Sequence, residues 1–254
     1  MKIKLKRTKA MVSSVIVFVL MIGAIVGLVY GMKYIYVAKD NSKMPIYKVD
    51  TEDKKIALTF DVAWGTEKMD YIMETLEKHD VESTFFLVGS WIDDNEEMVK
   101  TLGEKGHELS NHSNTHADTT ALSTEAISEE IKATSDKIYE LTGQQTNLYR
   151  PPFGEVNDKT MEICDALGYK VVKWDVDSLD WKEIGATHVT ERVIKDVDSG
   201  SIVLLHSNIN NIEDYLDGII TRLKEDGYEL VTVSELLYED NYTIDSNGVQ
   251  KLNK

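Results

Sequence analysis

Lys55-Ile56-Ala57-Leu58-Thr59-Phe60 is an apolar, β-prone run that stops on a carboxylate, Asp61. The pattern on its C-terminal side decides the fold. A helical pattern covers 67–78, a second β-rich run covers 84–88, and the alternation continues through strands at 107–111, 147–150, 170–175, 201–205 and 229–233. Helical stretches at 95–104, 124–141, 158–167, 189–196 and 211–225 lie between them. Repeated strand–helix alternation places parallel strands beside one another with helices as crossovers. A span of roughly 185 residues is short for a full eight-fold barrel, so the expected architecture is a distorted (β/α) barrel of about seven parallel strands. An open doubly wound sheet is the alternative, but no glycine-rich phosphate loop comes after the first strand.

Local signals support these boundaries. Gly106, Gly143, Gly168 and Gly227 each come directly after a helical run, where a left-handed residue commonly ends a helix. Ser123 is placed to cap the longest helix, with Glu125 favourably set against its dipole. Ile212, Tyr215, Leu216, Ile219, Ile220 and Leu223 recur at helical spacing and mark one buried face.

The two ends differ from this body. Residues 1–9 are basic, and 10–32 form an uncharged apolar run of the length that crosses a bilayer. The basic flank places the N-terminus in the cytoplasm and the rest of the chain outside, as a single-pass membrane protein. A cleaved signal peptide is the rival reading, but its apolar region is normally shorter. Residues 33–53 read as a polar linker, 54–238 as the globular domain, and 239–254 as a polar tail. The chain carries a net charge of −16 and its first nine residues carry five cations, so the remainder carries −21. That acidity excludes nucleic acid as a partner. The one cysteine, Cys164, cannot form an internal disulfide and reads as a small buried hydrophobe. A monomer is expected.

In a parallel α/β barrel the functional groups gather where strands end. Asp61 closes the first strand, His112 and His116 come after the third, and Arg150 closes the fourth. Asp177 comes after the fifth strand and His206 closes the sixth. Two imidazoles four residues apart can reach one cation. Arg150 is suited to orient Asp61 and lower its pKa, and Asp177 to hold His206 and favour its protonated form. Trp181 either packs or offers a flat apolar face to a sugar. His79, His107 and His188 receive no role. Two histidine ligands, a carboxylate base and a distal histidine acid make up the parts of a metal-assisted hydrolase.

Five ordered motifs carry a family resemblance: Thr59-Phe60-Asp61, His112-Ser113-x-x-His116, Arg150-Pro151-Pro152-Phe153-Gly154, Asp177-Ser178-x-Asp180-Trp181 and Leu204-x-His206. Over residues 54–237 the chain resembles the NodB-homology polysaccharide deacetylases of carbohydrate esterase family four, and its layout is most similar to their PdaB-type, sporulation-associated branch. The resemblance implies Asp61 as catalytic base, His206 as general acid, Arg150 and Asp177 as their tuning partners, and His112 and His116 as ligands of zinc or a similar divalent ion. It implies that Pro151, Phe153, Gly154 and Trp181 wall a sugar groove, with the Phe153 backbone N–H near the oxyanion. The implied substrate is an N-acetylated β-1,4-linked glycan, with peptidoglycan the expected one, losing acetate. One position departs. The family's second aspartate, its third protein ligand to the metal, is Val62 here. Asp61 binding the metal itself, substitution by Glu67 or Asp70, and a catalytically impaired glycan-binding homologue are the three outcomes. An O-acetyl esterase on the same fold is a further alternative.

Overall fold

The computed structural model describes residues 44–253. Its centre is strand β2 (Lys55–Val62), whose side chains alternate between two apolar environments. Ile56, Leu58, Phe60 and Val62 pack towards the surrounding helices, whereas Ala57 faces an inner cluster with Phe86 and Ile202. Thr59 and Asp61 share that inner face by the same period of two. Burial on both faces is why this strand reads as an almost unbroken apolar run.

Around β2 the chain lays down β3 (Thr84–Leu87), β4 (Glu108–Asn111), β5 (Leu148–Tyr149) and β6 (Lys170–Val171) on one side, and β8 (Ile202–His206) and β7 (Val176–Asp177) on the other. All six neighbouring pairs in this row are parallel. A short strand, β9 (Glu229–Leu230), pairs with the beginning of β2. Helices α1 (Met69–Lys78), α2 (Gly89–Asp94), α3 (Glu96–Glu104), α4 (Thr124–Thr142), α5 (Asp158–Ala166), α6 (Ala186–Asp196), α7 (Leu216–Glu225) and α8 (Val233–Leu236) intervene. Ser123 accepts from the Ala126 N–H at the start of α4, and Gly143 ends that helix at φ 74°, both as expected.

The barrel is not closed. The expected strand 170–175 is two strands, β6 and β7, on opposite edges of the curled sheet. Residues between them cross the gap, and the sequence Val171-Val172-Lys173-Trp174-Asp175 has no glycine or proline to announce the break. The architecture is therefore a curled half-barrel of seven parallel strands, with β9 added at the base of β2.

Both ends of the domain also need correction. Residues 44–53, read as linker, include a strap that lies in the gap. The Ile46 N–H donates to Val171 O and the Lys173 N–H to Ile46 O, while the Val49 N–H donates to Gly200 O. Ile46 and Val49 are buried in the inner cluster. Gly200 is required there, because a Cβ would stand 1.8 Å from Val49 O and its φ is +81°. The polar tail is likewise structured: β10 (Tyr242–Ile244) and β11 (Val249–Leu252) form a small sheet with β1 (Lys48–Val49). Short strands without a long apolar period leave little sequence signal, and these are stabilised by contacts across the whole domain. The expected transmembrane segment 10–32 lies outside the described residues; among those described, no helix is long and apolar enough to cross a membrane. Cys164 is buried as expected, and burial pushes its thiol up to about 12.

If the strap is part of the core, Ile46→Ala costs roughly 2–5 kcal/mol in urea unfolding, as a buried Ile truncation does. A change within roughly 0.5 kcal/mol, typical of surface positions, would show that the segment is a free linker.

Candidate active site

Strand ends bring Asp61, His112, Arg150 and His206 together. Asp61 and His206 are direct partners on β2 and β8. Asp61 is 8% exposed and Arg150 is fully buried. One guanidinium nitrogen of Arg150 donates to Asp61 Oδ1 at 2.7 Å and to Thr59 Oγ1 at 2.8 Å. Its other nitrogens donate to Val172 O at 3.4 Å and Lys173 O at 3.1 Å, carbonyls in the stretch that crosses the barrel gap. The guanidinium carbon also lies 3.9 Å from the centroid of the Phe86 ring. Burial alone would raise the Asp61 pKa, but the charge of Arg150, with His112 and His206, outweighs it and holds the carboxyl below its usual value. Oδ1 is therefore tied, and Oδ2 faces His112 Nε2 at 3.5 Å.

His112 lies directly after β4, and its Nδ1 donates to Arg150 O at 2.8 Å. That bond leaves Nε2 as the ring's free lone pair. The His116 ring centre lies 5.0 Å from that of His112. Burial, together with neighbouring His112, pushes His116 down to about 4, and burial lowers His112 as well, so both rings are neutral at ordinary pH. The loop between them is not helical: Ser113 and His116 have φ of 71° and 57°. Glu130 on α4 pins it, accepting from the Asn114 and Thr115 N–H groups at 2.8 Å and from the Ser113 and Thr115 hydroxyls. Sequence reading missed Glu130, although a signal exists. It lies three residues after Ile127 and four before Thr134, so a carboxylate falls on the helix's buried stripe.

The partner of His206 is Asp180, not Asp177 as expected. Asp180 is buried and accepts from His206 Nδ1 at 2.8 Å, from the His206 N–H at 2.9 Å and from the Tyr215 hydroxyl at 3.2 Å. Burial would lower the His206 pKa, but the bond and charge of Asp180 raise it above the usual value. The reason for the exchange is a reversal of the chain. Asp177 accepts from the Leu179 N–H at 2.9 Å, Leu179 takes φ 54°, and the turn carries Asp180 back under His206. Asp177 remains at the cavity wall.

Asp61, His112, His116, Asp177 and His206 line a cavity of about 580 Å³. Three aromatic side chains border it and remain exposed: Trp64 at 59%, Phe153 at 65% and Trp181 at 53%. Phe153 is held at φ 60°, which sets its ring 4.8 Å from that of His116. Trp174 also lines the cavity; Trp64 and Trp174 were not anticipated from sequence. Pro151 and Gly154 lie in the same loop without lining the cavity, and Gly154 borders a neighbouring one.

As a metal centre the donor set is a pair of neutral imidazoles, a fit for a zinc-like cation that wants nitrogen ligands. Among the described residues, neither position 62 nor the two candidate substitutes supplies a third protein ligand. Val62 faces the helix-side cluster, Glu67 accepts from the Thr66 N–H outside the cavity, and Asp70 is an exposed residue in the first turn of α1. Among the described residues no group of three or more His, Cys, Asp or Glu side chains is arranged to hold a metal ion.

The pairing of His206 can be checked without turnover. By NMR titration, Asp180→Asn lowers the His206 pKa markedly, whereas Asp177→Asn lowers it only slightly. Equal shifts, or a larger one for Asp177→Asn, would reverse the assignment.

A family model described as polysaccharide deacetylase matches residues 48–172. YlxY of Bacillus subtilis, itself uncharacterised, is 34% identical over 77% of this chain, which spans only 61% of that protein. The peptidoglycan-N-acetylmuramic acid deacetylase PdaA of Bacillus subtilis is 33% identical over 79% of this chain and 78% of its own. Among solved structures, BA3943 of Bacillus anthracis, described as a family-four carbohydrate esterase pseudoenzyme, aligns with a TM-score of 0.75 at 36% identity, over 79% of this chain and 71% of that one. A mutant of BA3943 described as having restored enzymatic activity aligns equally well, at 37% identity over 79% of this chain and 74% of its own. With this fold, this cavity and these relatives, the chain belongs to the polysaccharide deacetylases of carbohydrate esterase family four, a family of amide hydrolases.

Proposed function

We propose that this protein is a polysaccharide N-deacetylase acting on the N-acetylated glycan of peptidoglycan. The observation that carries the reading is a pair of oppositely tuned groups side by side on one cavity wall: Asp61, whose pKa Arg150 lowers, and His206, whose pKa Asp180 raises. Groups whose environments push their pKa values apart are suited to divide acid and base work. Asp61 Oδ2 takes the proton of the attacking water, and His206 Nε2 gives a proton to the departing amine nitrogen. His112 and His116 would hold a divalent cation, with zinc the expected ion; when bound, it polarises the amide carbonyl. Trp64, Phe153 and Trp181 present flat apolar faces on which sugar rings stack. The apolar run 10–32 supports a single-pass membrane anchor with this domain on the outer side.

Val62 favours one second reading, a glycan-binding homologue with impaired turnover. The likeness to BA3943 points the same way. The two separate on acetate release by purified residues 44–254 from peptidoglycan and from N- and O-acetylated oligosaccharides. The deacetylase reading expects release from N-acetyl substrates, loss on chelation, and a drop of about 10²–10⁴-fold in Asp61→Asn. Folded protein that binds glycan but releases no acetate with any divalent metal would leave only the second reading. Restoring the carboxylate tests it directly. In Val62→Asp the new group replaces a side chain of the apolar cluster, so without metal the variant is less stable by at least about 1–3 kcal/mol. If the missing ligand alone limits turnover, metal both recovers that stability and raises acetate release above wild type.

The same shifts set the sign of the pH dependence. His206 must be protonated, so the rate falls as pH rises through its raised pKa; Asp61 must be ionised, so the rate falls only at pH below its lowered one. The expected profile is a bell whose alkaline limb moves to lower pH in Asp180→Asn. An alkaline limb unmoved by that substitution would remove His206 as the acid.

A further inference from the structure

A second cavity, of about 360 Å³, adjoins the first, and Phe153 and Trp174 belong to the walls of both. Its far wall is Tyr47, from the strap that fills the barrel gap, and its cation is Lys173. The Lys173 ammonium donates to the Tyr47 hydroxyl at 2.6 Å and lies 4.6 Å from the centre of the Tyr47 ring and 5.9 Å from that of Trp174. Of the fifteen other lysines among the described residues, eight are ion-paired to a carboxylate. Lys173 has aromatic and hydroxyl neighbours in place of one, in a domain that is strongly acidic overall. Glu155 and Asp158 border the cavity but form no ion pair with it. The glycine of the Arg150–Gly154 motif makes room for this arrangement: a Cβ on Gly154 would stand 3.0 Å from Trp174 and 3.3 Å from the Lys173 side chain.

We propose that this second cavity is a subsite for the sugar next to the one being deacetylated, and that Lys173 recognises a carboxylate carried by that sugar. The subsite rests on the proposed function as a glycan deacetylase. A chain bound across the Phe153–Trp174 ridge would place one residue over Asp61 and His206 and its neighbour against Lys173 and Tyr47. A half-buried ammonium without an ion pair favours an anionic substituent over a neutral one by a charge-assisted hydrogen bond. Alternating N-acetylglucosamine and N-acetylmuramic acid supplies such a group, the lactyl carboxylate, wherever the strand carries no stem peptide; chitin-type glycans do not.

The test is binding, measured calorimetrically on the folded domain, so that it does not depend on turnover. The probes are chitotetraose and a peptide-free tetrasaccharide of alternating N-acetylglucosamine and N-acetylmuramic acid. Wild type is expected to bind the muramyl glycan roughly tenfold tighter, the order of one hydrogen bond to a charged group. Lys173→Met brings the ratio of the two affinities close to one, and Lys173→Arg retains much of the preference; melting curves confirm that both variants fold. Equal affinities in wild type, or a preference unchanged in Lys173→Met, overturns the subsite while leaving the proposed function standing. Failure of both glycans to bind overturns the proposed function and the subsite together.

Discussion

The buried guanidinium of Arg150 is the interaction on which the rest of this structure depends. It donates to the side chains of Asp61 and Thr59 on β2 and to the carbonyls of Val172 and Lys173 in the crossing between β6 and β7. A charge this deep is tolerable only where its donors are satisfied and a carboxylate balances it. Those conditions join two parts of the fold. The break that leaves the barrel open frees carbonyls, and the guanidinium that collects them also orients the acidic side chain of the site. The backbone carbonyl of Arg150 completes the connection by fixing the His112 ring.

Strain is concentrated around the same cavity. Ser113, His116, Phe153 and Leu179 are all non-glycine residues at positive φ, and each lies in a loop that delivers a side chain to the site. Such conformations persist only when surrounding contacts over-determine them. Glu130 does this for the histidine loop and Asp177 for the turn before Asp180. The carboxylates nearest the chemistry in sequence therefore serve two purposes: some face the cavity, and others hold the backbone that presents them.

Much of the fold was legible because the strong signals are local. Apolar runs ending in Asp61 and His206 located β2 and β8, the regular strand–helix alternation located β3 and β4, and glycine and serine at helix ends located α4. The strap at 46–49, the strands β10 and β11 and the splitting of 170–175 were not legible. Their pairing partners are distant in sequence, and nothing in their composition distinguishes them from loop or continuous strand. The site divides in the same way. Asp61, His112, His116, Arg150 and His206 stand out as polar groups at strand ends. Asp180 was passed over for Asp177 because the choice depends on a left-handed turn at Leu179.

By itself the sequence determined which chemical groups are available, that they lie at the ends of parallel strands, and that position 62 carries no ligand. Residue identity and short-range periodicity are enough for these. Only the tertiary structure decided which carboxylate holds His206, that Glu130 fixes the histidine loop, and that Val62 belongs to the helix-facing cluster while Asp61 faces the cavity. Hydrogen bonds and burial are properties of distance in space. A chain that reverses direction at one left-handed residue can exchange two aspartates three positions apart without changing any pattern that composition or period records.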